Sequence, residues 1–278
     1  MISLQELHGQ IEQLHTHYDM RFAGHARVTR NPHLMAAMIG QITQIQSRLS
    51  EVTTTDPNSH AFVLGLCFER LGLYKKERSE IQTAQKTVGK HGVAAAHKMS
   101  DVNFLLNRYH RDFGGEERET RDPGLLGELI SALQAIVLGL ETDTAQLDQT
   151  ALQTAGVDVA WVQRQLDALT GEREAILRAQ DAGSLDVRAA VLAELANSQF
   201  DRHRRHFNEQ PRISRRPELL TDMIANLEET LTRMQRLHAQ DAFLGNNQQN
   251  IDVVERHLAA WREQLPTLLE LRRVATPA

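Results

Sequence analysis

The sequence predicts an all-α protein made of three tandem three-helix repeats, about nine helices in all. Three observations carry that prediction. Glycine and proline together make up 23 of 278 residues, about 8%, against roughly 12% in average proteins, too few for the turns of a sandwich or barrel. Apolar residues recur three or four apart over long stretches, which is the spacing of one helical face. Finally, the chain is similar to itself, because three 25-residue windows align without gaps.

The windows are YDMRFAGHARVTRNPHLMAAMIGQI (residues 18–42), YHRDFGGEERETRDPGLLGELISAL (109–133) and HRRHFNEQPRISRRPELLTDMIANL (203–227), at shifts of 91 and 94 residues. Each contains F-x4-R-x-[T/S]-R-x-P-x-L. The equivalent residues are Phe22, Phe113 and Phe207, then Arg27, Arg118 and Arg212, then Thr29, Thr120 and Ser214. Arg30, Arg121 and Arg215 follow, and Pro32, Pro123 and Pro217 close the corner.

The first helix of repeat one carries the stripe Leu4, Leu7, Ile11, Leu14, Tyr18, Phe22, with Ser3 and Glu6 at capping-box spacing. Its counterparts are Val102, Leu105, Tyr109, Phe113 and Leu192, Ala196, Phe200, His203, Phe207. The second helix is expected to start at the shared proline, whose missing N–H has no partner in a first turn anyway. Asn31 and Asp122 precede it as good caps, and Arg216 as a poor one. Its expected stripes are Leu34, Met38, Ile42, Ile45, Leu49; Leu125, Leu129, Leu133, Ile136, Leu140; and Leu219, Met223, Leu227, Met234. In the third helix Cys67, Leu71, Tyr74, Arg78 and Ile81 match Val162, Leu166, Leu169, Arg173 and Ile176. The last copy has Val254, Leu258, Trp261, Leu265 and Leu268, and Pro266 is expected to kink or end that helix. GKHG (89–92) and DAGS (181–184) read as breaks, which places the repeats at 1–91, 92–183 and 184–278.

In helix count, repeat length and heptad-like apolar spacing this layout resembles spectrin-like triple-helical repeats, at the level of architecture only. Such repeats carry a tryptophan in the first helix and run one helix into the next. Here Trp161 and Trp261 fall in third helices, and Gly89, Gly92 and Gly183 stand between repeats.

The arginine–proline corner is the one motif that suggests chemistry. Two arginines, a hydroxyl and a helix N-terminus are the parts of an anion site, and three copies would make it multivalent. The structural reading is that Arg27 and Arg30 pair with a third-helix acid such as Glu77, or Glu172 in the second copy, while Thr29 holds the turn. Local charge favours the structural role. The net charge is +2 over residues 17–33 and +4 over 201–216, but −1 over 108–123, where a shared phosphate site would be neutralised.

Other chemistry is weaker. DRHRRH (201–206) reads as a solvated helix face, and with a net charge of −5 nucleic acid is not the expected partner. The 13 histidines form no repeated metal pattern, so no metal and no cofactor are expected, and His203 reads as a half-buried core residue. No nucleophile elbow, phosphate loop, dinucleotide motif or zinc-protease motif occurs, so no catalytic residue is assigned. The single Cys67 reads as a packing residue in a reducing compartment. No signal segment and no uninterrupted apolar run of spanning length is seen, so the expectation is a cytoplasmic protein without a membrane span. The third helix of repeat one is apolar around more than one face. Phe62, Leu66, Phe68, Leu73 and Tyr74 are therefore candidates for an interface with a protein partner or a second copy. The expected function is a scaffold or adaptor; the alternative is a polyanion-binding module built on the three corners.

Overall fold

The computed structural model describes residues 3–52, 56–211 and 214–275. These residues are all-helical, with no strand among them. The α-helices are α1 (Leu4–Phe22), α2 (Pro32–Leu49), α3 (Pro57–Phe113), α4 (Pro123–Thr144), α5 (Gln149–Ala155), α6 (Val159–Asp181), α7 (Leu185–His203), α8 (Pro217–Gln240) and α9 (Asn247–Ala275). Among the described residues these number nine, but the division differs from the predicted one. α3 takes in two predicted helices, with Gly89 alone leaving helical geometry at φ 65° and ψ −173°. Only glycine holds that backbone cheaply, so the predicted GKHG interruption contracts to one residue and Gly92 stays helical. The extra helix is α5, seven residues capped by Asp148 and closed by Gly156 in the left-handed region. Pro266 does not end α9, which continues to Ala275.

Contacts divide the chain into two compact units, Met1–Phe104 with Ala135–Val162, and Leu105–Gln134 with Gln163–Ala278. These boundaries do not coincide with the repeat boundaries, since residues 92–183 are shared between the units. In the first unit one apolar cluster joins α1 (Leu7, Ile11, Leu14, Phe22), α2 (Met35, Met38, Ile42, Ile45, Leu49) and the first arm of α3 (Val63, Cys67, Tyr74, Ile81). In the second unit another joins α7 (Leu192, Leu195, Ala196), α8 (Leu220, Met223, Ile224, Leu227, Met234, Leu237) and α9 (Ile251, Val254, Leu258, Trp261, Leu268), with Phe207.

Helix starts follow local chemistry. The Ser3 hydroxyl accepts from the Glu6 amide at 3.2 Å while the Glu6 carboxylate accepts from the Ser3 amide at 2.7 Å, a reciprocal capping box. α2, α4 and α8 each begin on the shared proline. Asn31 Oδ1 accepts from the amides of His33 (2.9 Å) and Leu34 (3.3 Å), and Asp122 Oδ1 from those of Gly124 (2.8 Å) and Leu125 (3.1 Å). Arg216 makes no side-chain cap on α8.

The predicted second-helix stripe is off by one at its first position in every copy. Met35, Leu126 and Leu220 are fully buried, whereas Leu34 is 39% exposed. The observed 35-38-42-45-49 alternates steps of three and four and so stays on one face, whereas 34-38-42 drifts around the helix. In α4 the same drift puts Val137, not Ile136, in the interior. α4 is also apolar along most of its length. Its best 18-residue window has a mean hydropathy of 1.6, so by length and composition it is apolar enough to cross a membrane, with 39% of that window buried. Counting uninterrupted apolar runs overlooks it because Gly, Ser, Gln and Glu punctuate the stretch.

Candidate functional site: three arginine corners

All three corners are built by the same local bonds. The hydroxyl donates to the carbonyl three residues back: Thr29 to Ala26 at 2.9 Å, Thr120 to Glu117 at 3.0 Å and Ser214 to Pro211 at 2.8 Å. The second arginine's Nε donates to the carbonyl five residues back: Arg30 to His25 at 2.9 Å, Arg121 to Glu116 at 3.0 Å and Arg215 to Gln210 at 3.0 Å. Just before each corner a buried phenylalanine stacks on the ring one turn earlier. The centroid distances are 5.6 Å for Tyr18–Phe22, 5.4 Å for Tyr109–Phe113 and 5.0 Å for His203–Phe207. Phe22, Phe113 and Phe207 are at most 2% exposed. The aromatic pair thus seats the end of the incoming helix, and the hydroxyl and guanidinium fold the chain back into the next one.

Third-helix side chains then tether two of the corners. In the first, Arg30 pairs with the buried Glu77, and Arg27 reaches Glu80 at 2.7 Å and Glu77 at 3.6 Å. In the second, Glu172 takes Arg118 through both oxygens, at 2.8 and 3.1 Å, and Arg121 at 2.6 Å. The Arg118 hydrogen bonds come first among the forces holding the Glu172 carboxyl below its ordinary pKa. A second tether was not anticipated. Gln85 Nε2 donates to the carbonyls of Val28 (3.0 Å) and Arg30 (2.8 Å), and Gln180 Nε2 to those of Glu119 (3.2 Å) and Arg121 (2.7 Å). The signal was present in the sequence, because the third-helix alignment extended four residues past Ile81 and Ile176 brings these glutamines into register. Arg212 lies outside the described residues, so of the third corner Ser214, Arg215 and Pro217 are placed.

The basic stretch before the third corner is not wholly a solvated face. Arg202 is half-buried against Glu128, with Nη2–Oε2 at 2.6 Å, and Asn226 donates to the same carboxylate at 2.8 Å. Sequence reading missed this pair because the partners lie 74 residues apart. His203 is 9% exposed, stacked on Trp261 at 4.6 Å and hydrogen-bonded to Gln264 at 2.8 Å. Burial pushes its pKa below the ordinary value, and burial does the same to His257. At these two residues the folded protein therefore binds fewer protons than the unfolded chain once the pH falls below about 6.5. The stability these residues contribute is complete above that pH and is lost as the pH drops through the folded-state values. The melting temperature is expected to fall between about pH 6.5 and pH 5, and to fall less in His203→Tyr, which restores the residue of the other two windows. A circular-dichroism melt at each pH checks this, and parallel curves for the two proteins would refute it.

The apolar interface candidates separate. Phe62 and Phe68 are 60% and 56% exposed. Leu66 and Leu73 are half-buried against the first unit's core. Tyr74 is fully buried and belongs to the interior, a correction to its reading as surface. It faces inward because it shares the three–four stripe of Cys67 and Ile81. Burial raises its hydroxyl pKa to about 12. Cys67 is 1% exposed with its thiol pKa raised by burial, as an inert packing residue would be. A groove of about 760 Å³ runs between α1 and α2, lined by Gln10, Gln13, Gln41 and Gln44 with His17 and Arg48. Glu12 and Thr16 line it as well, the Thr16 hydroxyl donating to the Glu12 carbonyl at 3.0 Å. Among the described residues no three His, Cys, Asp or Glu side chains gather as a metal site would require. Comparison with protein-family models, curated proteins and solved structures finds no match to this chain.

Proposed function

We propose that the chain is a non-enzymatic helical scaffold of three tandem three-helix repeats, 1–91, 92–183 and 184–278, which works in the cytoplasm by binding a protein partner or a second copy of itself. The observation that carries this reading is the set of large apolar side chains left open on the first unit, namely Phe62, Phe68, Met20, Phe104 and Leu138, each 56–66% exposed. Such surface costs hydration free energy while uncovered and is a common mark of an interaction face. The alternative in which all three corners grip a polyanion loses support at the first two, where Glu77, Glu80 and Glu172 already occupy the arginines.

The test is light scattering of the full chain across a concentration series, paired with affinity capture from native lysate and mass spectrometry. Self-association or a stoichiometric captured protein is expected, and either should weaken at least about tenfold in Phe62→Ser with Phe68→Ser. A monomer at all concentrations that captures nothing, or binding unchanged in the double variant, would count against the proposal.

A further inference from the structure

We infer, resting on the self-association reading above, that the groove between α1 and α2 is a docking site for a second copy of this chain. The second copy enters by the outer face of its α8 and α9, so that copies join head to tail. The template for this contact lies inside the second unit, where α7 and α8 pack on a face of α4 and α6. There Arg202 and Asn226 meet Glu128, Glu229 meets Arg173, and Arg233 meets Gln180 (3.0 Å) and Asp181 (3.4 Å). In register with Arg202, Asn226, Glu229 and Arg233, the first window and its helices carry His17, Gln41, Gln44 and Arg48. All four line the α1–α2 groove. They are exposed, whereas their four counterparts are half-buried. The groove is thus the docking face of α7 and α8 repeated on α1 and α2 and left open.

The matching face is open on the last two helices. Where α4 and α6 carry Gly124, Gly127, Glu128 and Gln180, α8 and α9 carry Glu218, Thr221, Asp222 and Arg272. The first four are buried or half-buried and the second four are exposed. Leu269 is 52% exposed at the position where Leu177 is half-buried. The Arg262–Glu228 (2.6 Å) and Arg272–Glu218 pairs bridge α8 to α9, so the two helices present one surface. Asp222 stands at the position of Glu128 and has no cation in ion-pair range among the described residues. Its carboxylate can accept from Gln41 and His17 of the second copy as Glu128 accepts from Asn226 and Arg202. Arg48 comes opposite Arg272, whose charge Glu218 already balances. The spacing differs at one point, because a Cβ on Gly124 would lie 2.7 Å from Asn226 Cγ. With Glu218 at the glycine position the faces meet further apart, and Gln41, one methylene longer than asparagine, spans the difference. The two faces are unlike, so the contact is heterologous and adds copies in series instead of closing a dimer.

Sedimentation velocity of the full chain over a concentration series to about 0.5 mM tests this. Two variants change exposed positions only: Gln41→Lys with Gln44→Lys in the groove, and Ala225→Lys with Leu269→Lys on the α8–α9 face. The parent is expected to grow past the dimer as its concentration rises. Each variant alone should associate at least about tenfold more weakly, with circular dichroism unchanged. An equimolar mixture of the two variants keeps one intact groove and one intact α8–α9 face, and should form a one-to-one complex at the parent's affinity. A parent that stays monomeric or stops at a dimer overturns the proposal, as does a mixture that forms no complex. Variants that associate like the parent overturn it too. If Phe62→Ser with Phe68→Ser abolishes an association that both lysine variants keep, the head-to-tail contact is refuted while the scaffold reading stands. A monomeric parent that captures a stoichiometric protein from lysate separates the two in the same way.

Discussion

Glu77→Ala is expected to destabilise the protein by about 3–5 kcal/mol, because it leaves buried positive charge uncompensated. The Glu77 side chain is 6% exposed and that of its partner Arg30 is 14%, so little water is available to take the carboxylate's place. Removing the carboxylate costs more than the pair contributes, since an orphaned guanidinium must be desolvated without return. Glu80→Ala is the internal comparison. Its partner Arg27 is 54% exposed, and the same deletion there should cost no more than about 1 kcal/mol. Urea unfolding of both variants measures the difference. Equal small losses would mean that the corner is held by its backbone bonds and that Glu77 is dispensable.

Phe207→Ala should cost a similar amount, about 3–5 kcal/mol, through lost apolar burial and the cavity left behind. Phe207 is fully buried in the cluster shared by α7, α8 and α9, and it stacks on His203, which in turn stacks on Trp261. Truncation therefore removes one ring of a stack of three and leaves the other two without their support. Phe243, 95% exposed between α8 and α9, is the contrasting site, where alanine should change stability by no more than about 0.5 kcal/mol. Thermal or urea unfolding of the two variants decides the matter. A loss below about 1 kcal/mol at Phe207 would show that the aromatic pair before the corner is not a packing anchor.

The middle copy shows why part of the organisation was legible and part was not. Its first helix, its proline start, its Asp122 cap and its Arg121–Glu172 pair can all be read from the alignment of copies within the chain. Each depends on residues close in sequence or at a repeated offset. Gln199, which donates to Asp122 Oδ2 at 2.9 Å, and Arg202, paired with Glu128, lie 77 and 74 residues from their partners with no repeated offset to betray them. Arg202 reads as part of a solvated face because a single helix period cannot say what lies opposite it. Gly89 was legible as a break but not as a one-residue break, since whether helix resumes after a glycine depends on what the next turns can bury.

What the sequence determined alone is what periodicity and local bonding determine: helices, their proline starts, the buried phenylalanines and the three hydroxyl–arginine corners. Those features are set by interactions within a few residues, and residue type is enough to read them. Tertiary structure decided which arginines are neutralised, which apolar residues remain open and where one compact unit gives way to the next. Each of those depends on long-range proximity, in which a carboxylate or a ring from a distant helix either arrives within a few ångströms or does not.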